Sequence, residues 1–109
     1  MLFSKTPEIT PAELLQWMDD GQPLTIVDVR DAASFAQGHI AGAISNPAQS
    51  FNLDMFASLA PDARIVISCY RGMMSKDVVK YLEAQGFTNA YSLKGGFGAW
   101  ERLAGAPIE

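Results

Sequence analysis

The sequence predicts an α/β sandwich in which a mostly parallel central sheet carries helices on both faces. Three features predict it. Short β-branched runs alternate with amphipathic segments from end to end. No repeat, low-complexity tract or long linker interrupts them. The strongest apolar run, Ile65-Val66-Ile67, leads through a short loop into a well-formed helix. Residues 1–109 accordingly read as one domain, of a size that buries roughly two-thirds of its surface without disulfide or metal staples.

The first helix opens at Thr10-Pro11-Ala12-Glu13. Thr10 is a good N-cap, Pro11 suits the first helical position, and Glu13 completes a capping box. Leu14, Trp17 and Met18 then recur at i, i+3 and i+4 as a buried stripe, and Gly21 with Pro23 stops the helix. Leu24–Val29 is short and β-branched, a buried strand. Asp31–Gln37 reads as a short helix ended by Gly38, Ala43–Ser45 as a further short strand, and Asp54–Leu59 as a short helix. Arg64–Ser68 carries the central-strand signal. Ser75–Gln85 is helical, with Val78, Val79 and Leu82 facing inward and Gly86 as a C-terminal cap. Ala90–Leu93 is the final strand, and Phe97, Trp100 and Ala104 line one side of a last helix ending near Gly105.

Composition narrows the function classes. Eight Lys and Arg against twelve Asp and Glu give a net charge of −4, which argues against a nucleic-acid binder with its basic face. Any anion site must therefore be local, built from backbone N–H groups and one or two cations. Met1–Lys5 is followed at once by Thr6-Pro7-Glu8, with no apolar core segment or small-residue cleavage site, so no secretory leader is expected. No apolar run approaches the roughly 18 residues of a membrane span. The single cysteine cannot form an internal disulfide and fits a reducing compartment, so a cytoplasmic location is expected.

In open α/β sheets, ligands sit beyond the carboxyl ends of the strands, and Cys69 lies directly after the central strand. The segment Cys69-Tyr70-Arg71-Gly72-Met73-Met74-Ser75 can curl so that successive amides point inward as an anion nest, with the following helix adding its own unpaired N–H groups. Gly72 permits a backbone angle that a side chain resists. Arg71 and Lys76 are the nearby cations. A free thiol with a pKa of ~8.5 is only a few per cent thiolate at neutral pH. Lowering that pKa by about two units needs roughly 2.7 kcal/mol of preference for the anion. A helix terminus supplies about 0.3–1 kcal/mol when exposed and up to ~2 when partly buried, so loop amides must provide the rest. A lone cysteine is often only a small buried hydrophobe. Its position past the strand end, ahead of a cradle-like loop, favours a reactive thiol here.

Four segments in order and approximate spacing give this chain a resemblance to the rhodanese homology family. They are Ile26-Val27-Asp28-Val29-Arg30; Phe35 with Gly38-His39-Ile40-Ala41-Gly42-Ala43; the loop Cys69–Ser75; and Gly95-Gly96 with Trp100. Within the family the chain is most similar to single-domain bacterial thiosulfate sulfurtransferases, in which Ser34-Phe35 is usual. The resemblance implies a three-layer rhodanese-like sandwich and a double-displacement reaction. Cys69 would take the outer sulfur of thiosulfate as a persulfide and pass it to cyanide or a thiol, possible acceptors including a reduced thioredoxin-like protein. The amides from Tyr70 to Ser75 would hold the charge, and no metal or organic cofactor is implied. Met73 and Met74 fill loop positions that are often polar or basic in active relatives. Ser34 stands where many relatives carry Glu, which removes a partner for Arg30.

The remaining marked residues read as structural. Asp28 and Arg30 are charges near a strand end that could shape the site; His39 fixes a turn and cannot form a metal site alone. Gly95-Gly96 opens a helix, Tyr70 packs over the loop, and Phe97 and Trp100 belong to the core. Two rivals to the sulfurtransferase stand. A cysteine-dependent phosphatase or arsenate reductase uses a related cradle but wants Arg at the loop end, where this chain has Ser75. A persulfide carrier or protein-interaction module, with Met73 and Met74 as an adaptable contact surface, would turn over little thiosulfate.

Overall fold

The computed structural model describes residues 5–109, so the reading of Met1–Lys5 as free of a leader falls, for its first four residues, outside the described range. Five strands form one sheet: β1 (Glu8–Ile9), β2 (Thr25–Asp28), β3 (Ile44–Ser45), β4 (Ile65–Ser68) and β5 (Ala90–Leu93). Their order across the sheet is β1-β5-β4-β2-β3, and every ladder is parallel. The central strand is β4, flanked by β2 (Val27 beside Ile67) and β5 (Ile67 beside Ser92). The helices are α1 (Pro11–Asp19), α2 (Ala32–Gln37), α3 (Met74–Ala84) and α4 (Gly96–Trp100).

Alternation along the strands divides the core in two. Val27, Val29, Ile65, Ile67 and Ala90 point to one face, where Val78, Val79 and Leu82 of α3 and the buried Phe56 cover them. Ile9, Ile26, Val66 and Leu93 point to the other, under Leu14 of α1 and Phe97 and Trp100 of α4. Cys69 continues the odd-numbered series 65, 67, 69, so its side chain emerges on the α3 face. This parity places the sulfur under the first turn of α3.

Local chemistry sets the boundaries. The Thr10 hydroxyl accepts the Glu13 amide at 3.1 Å while Glu13 accepts the Thr10 amide at 2.8 Å, the expected capping box. Asp31 proves to be the N-cap of α2 and not its first residue, since its carboxylate accepts the Ser34 amide at 2.7 Å. The expected helix at 54–59 is instead a 3₁₀ turn over Leu53–Phe56, after another at Ala48–Ser50. In the first helix only Leu14 is fully buried; Trp17 is half-covered, edge-on to Tyr91 with the Arg64 guanidinium 4.1 Å from its ring centroid.

The last helix ends at Trp100, short of Gly105, and Ala104 is exposed. Beyond Trp100 the amides reach back three residues, Arg102 to Ala99 and Leu103 to Trp100, and the Trp100 indole donates to the Pro107 carbonyl at 3.0 Å, turning the chain back. Residues 107–109 then run antiparallel to 39–41, with Ile40 bridged to Ile108. No helix among the described residues is long and apolar enough to cross a membrane.

Thr10→Ala removes one arm of the capping box and should lower unfolding free energy by about 1 kcal/mol, read as a lower urea midpoint at unchanged slope. An unshifted midpoint would show that α1 is held by packing alone.

Candidate active site

Cys69 is 2 % exposed, at the bottom of a ring of donors and not at the loop's outer mouth. The Gly72 amide donates to its sulfur at 3.1 Å and the Ser75 amide at 3.4 Å. The Ser75 hydroxyl lies 3.3 Å from the sulfur and 2.7 Å from the Ser92 hydroxyl, a buried row of three polar atoms. Met73, the N-cap of α3, offers no side-chain cap. The Cys69 sulfur fills that vacancy by accepting the amide of the second helical residue, as an N-cap oxygen does.

Two contacts from α4 orient the loop. The Phe97 amide donates to the Cys69 carbonyl at 2.8 Å and the Gly98 amide to the Tyr70 carbonyl at 2.9 Å. A trans peptide places its N–H opposite its C=O. With the Tyr70 carbonyl fastened to α4, the Arg71 N–H is directed the other way, toward the sulfur. This close approach requires glycine. A Cβ at Gly96 would overlap the Cys69 carbonyl oxygen, and one at Gly72, where φ is +84°, would come within 2.9 Å of the Gly95 nitrogen.

The balance of these effects fixes the charge preference. Burial pushes the Cys69 thiol up; the Ser75 hydroxyl and the amides of Ser75, Gly72 and Arg71 together outweigh it, and the net shift is downward. The amides of Tyr70, Met73 and Met74 make no bond to the sulfur among the described residues, so the nest at this atom is narrower than the whole loop.

The other marked residues are placed as follows. Arg30 keeps a partner without a Glu at position 34: its Nη2 and Nε lie 2.7 and 3.0 Å from Asp28 Oδ2, and Nη2 also donates to the Gly38 carbonyl at 2.7 Å. That pair lies beside the loop, because Arg30, Tyr70, Met74 and Phe97 wall one cleft of about 550 Å³. Arg71 faces the sulfur through its backbone; its guanidinium sits 5.9 Å from the Tyr70 ring centroid. Lys76 is drawn to Glu8 at 3.7 Å. His39 fixes a turn, with Nδ1 2.8 Å from the Phe35 carbonyl and its ring stacked on Phe35. Tyr70 is half-exposed, and Met73 is 70 % exposed with Met74 beside it at the rim. Sequence reasoning missed Ser92 and the α4 amides. A serine between Tyr91 and Leu93, on the parity of the buried Ala90, was the available sign of the first; the glycines at 96 and 98, which let α4 approach the loop's backbone, were the available sign of the second.

Comparison with known proteins bears on the family and the fold. The rhodanese-like domain family matches residues 10–103. A thiosulfate sulfurtransferase GlpE of Haemophilus influenzae is 42% identical over 103 residues, 94% of this chain and 93% of the relative. The GlpE of Shewanella oneidensis is 43% identical over 99 residues, 90% of this chain and 95% of the relative. Among solved structures, the rhodanese-like domain of the Alr3790 protein from Anabaena sp. superposes with a TM-score of 0.83 at 30% identity, covering 94% of this chain and 78% of that one.

The alkylation rate of Cys69 by iodoacetamide should rise with pH through an inflection below the ~8.5 of a free cysteine. Ser75→Ala should raise that inflection, since it removes the hydroxyl that is the first of the hydrogen-bonding groups lowering the thiol's pKa. An unmoved inflection would remove the Ser75 hydroxyl from the account.

Proposed function

The chain belongs to the rhodanese-like domain family, and from that premise we propose that it is a thiosulfate sulfurtransferase working by double displacement through Cys69. The observation that carries the assignment to this residue is the ring of donors around one buried sulfur: the Ser75 hydroxyl and the Gly72 and Ser75 amides within 3.4 Å.

In the first step the Cys69 thiolate attacks the outer sulfur of thiosulfate. The S–S bond of the donor breaks, sulfite leaves with the electron pair, and Cys69 becomes a persulfide. In the second step cyanide or a thiolate attacks the outer sulfur, and Cys69 departs as thiolate. The donors around Sγ serve both steps, first by raising the thiolate fraction and then by stabilising it as leaving group. A lowered pKa reduces intrinsic nucleophilicity, with a Brønsted coefficient of about 0.4–0.5, so the gain in leaving ability matters as much as the gain in thiolate.

The loop Tyr70–Ser75 is the anion-binding segment of this reading, with the amides not engaged by Sγ left for the outer sulfur. Asp28 and Arg30 act by shape: their mutual bond fixes the cleft wall beside Tyr70. Residues 1–109 are taken as one such domain. The scheme needs no metal or organic cofactor, suits a reducing cytoplasm, and admits a reduced thioredoxin-like protein as one acceptor. The exposure of Met73 supports a second reading, a persulfide carrier that docks protein partners through an apolar rim.

Intact-mass measurement after thiosulfate treatment tests the assignment. The wild type should gain one sulfur, lost again on adding cyanide with release of thiocyanate, and Cys69→Ala should gain none and lose activity entirely. Sulfur gained by Cys69→Ala would sink Cys69 as nucleophile. A wild type that is charged only by another protein's persulfide would make the chain a carrier.

A further inference from the structure

Among the described residues the Ser92 hydroxyl makes no hydrogen bond to the Cys69 sulfur, yet a third polar atom joins the two. Ser92 Oγ lies 2.7 Å from Ser75 Oγ, which lies 3.3 Å from Sγ. Both serines are 0 % exposed, so bulk water does not reach them. Among the described residues Ser75 is the one hydrogen-bond partner of the Ser92 hydroxyl. Counting hydrogens gives this row a direction. A hydroxyl donates one hydrogen bond and a thiolate donates none. With Cys69 ionised, the row holds two hydrogens for two contacts, and one assignment uses both: Ser92 donates to Ser75, and Ser75 donates to Sγ. In the opposite order the Ser92 hydrogen has no acceptor and the sulfur loses a donor, which disfavours that order by roughly tenfold or more. With Cys69 as a neutral thiol there are three hydrogens for the same two contacts, so one is stranded in either order.

We infer that Ser92 is a positioning residue that acts through Ser75: its hydroxyl donates to the Ser75 oxygen and fixes the Ser75 hydrogen on Sγ, so that the row favours a sulfur carrying no hydrogen. Thiolate and persulfide both meet that description at Sγ, and the same order therefore serves Cys69 before and after it takes up sulfur, a consequence that rests on the sulfurtransferase reading. A serine in a helix has the competing choice of bonding a carbonyl one turn back. Ser92 holds the Ser75 oxygen toward the sheet instead. A bond received at that oxygen also strengthens the one its hydrogen makes, so Ser92 both aims Ser75 and reinforces it. Charges do not supply this effect. β4, β5 and α4 carry no charged side chain, and the nearest in register and sequence are Glu8 of β1, Arg71 of the loop, and Lys76 and Asp77 of α3. Burial opposes the thiol's downward shift and hydrogen bonds produce it, with no contribution from these four charges.

Thiolate ultraviolet absorbance, titrated with pH on the full chain and taken as the difference from Cys69→Ala, separates this role from a structural one. Ser92→Ala should lower the thiolate fraction about threefold at a pH below the wild-type inflection, near the lower range of coupling within one hydrogen-bond network. In a Ser75→Ala background the same substitution should leave the fraction unchanged, because the link it acts through is gone. A fall of equal size in both backgrounds, which general loosening of the core would give, or no fall in either, would overturn the inference. The wild type offers a second test that needs no variant. Neutron diffraction from deuterated crystals grown above the inflection should place the Ser92 deuterium toward Ser75 and the Ser75 deuterium toward Sγ, and the opposite order would overturn the inference. Intact mass after thiosulfate treatment reports on the sulfurtransferase reading separately, so each of these failures leaves that reading intact.

Discussion

Everything at the site depends on two backbone hydrogen bonds between α4 and the cysteine loop. With the Cys69 and Tyr70 carbonyls fastened to the Phe97 and Gly98 amides, the loop's peptide planes are set, and its free N–H groups have one direction left. The helix is five residues long and too short to be stable alone. Trp100 anchors it from beneath, fully buried among Leu14, Val66 and Leu93. The electrostatics of one sulfur thus trace back to an indole in the opposite layer of the protein.

Burial and charge are opposed at this atom, and the structure settles the opposition with local dipoles. An exposed thiolate would be solvated by water but open to oxidation. A buried one in an apolar core would be neutral. Cys69 packs with Ile67 and Val79 on one side and meets only N–H and O–H donors on the other. The arrangement is that of an oxyanion hole turned on a resident sulfur, in which preformed donors need no reorganisation during the reaction.

The fold and its cysteine loop were legible because their causes are local. Ile65-Val66-Ile67 gave the clearest central-strand signal, Gly72 permitted the positive φ the loop adopts, and the Thr10–Glu13 box states its own geometry. The weaker predictions concern the ends of elements. At Ala104 apolar spacing suggested a continuing helix, but the chain turns after Trp100 because the Pro107 carbonyl comes back to the indole, a contact between residues brought together only by the fold. Arg30 was read as lacking a partner at position 34, while its partner lay two residues away at Asp28, where a side chain can fold back along the strand end. The narrowing of the nest to the Arg71, Gly72 and Ser75 amides, and the role of Ser92, depend on peptide orientations set across the sheet.

The row of hydroxyls behind the sulfur has a bearing on how one pocket tolerates several chemical states. A hydroxyl donates one hydrogen bond and accepts others, so Ser75 can accept a hydrogen bond from a neutral thiol or donate one to an ionised sulfur, with Ser92 adjusting behind it. Such a switch moves only hydrogens: two O–H rotors turn while every heavy atom stays where the strands and α3 put it. The interior is therefore stiff in shape yet reversible in polarity, which lets a catalyst cycle between charged and uncharged sulfur without opening its core to solvent.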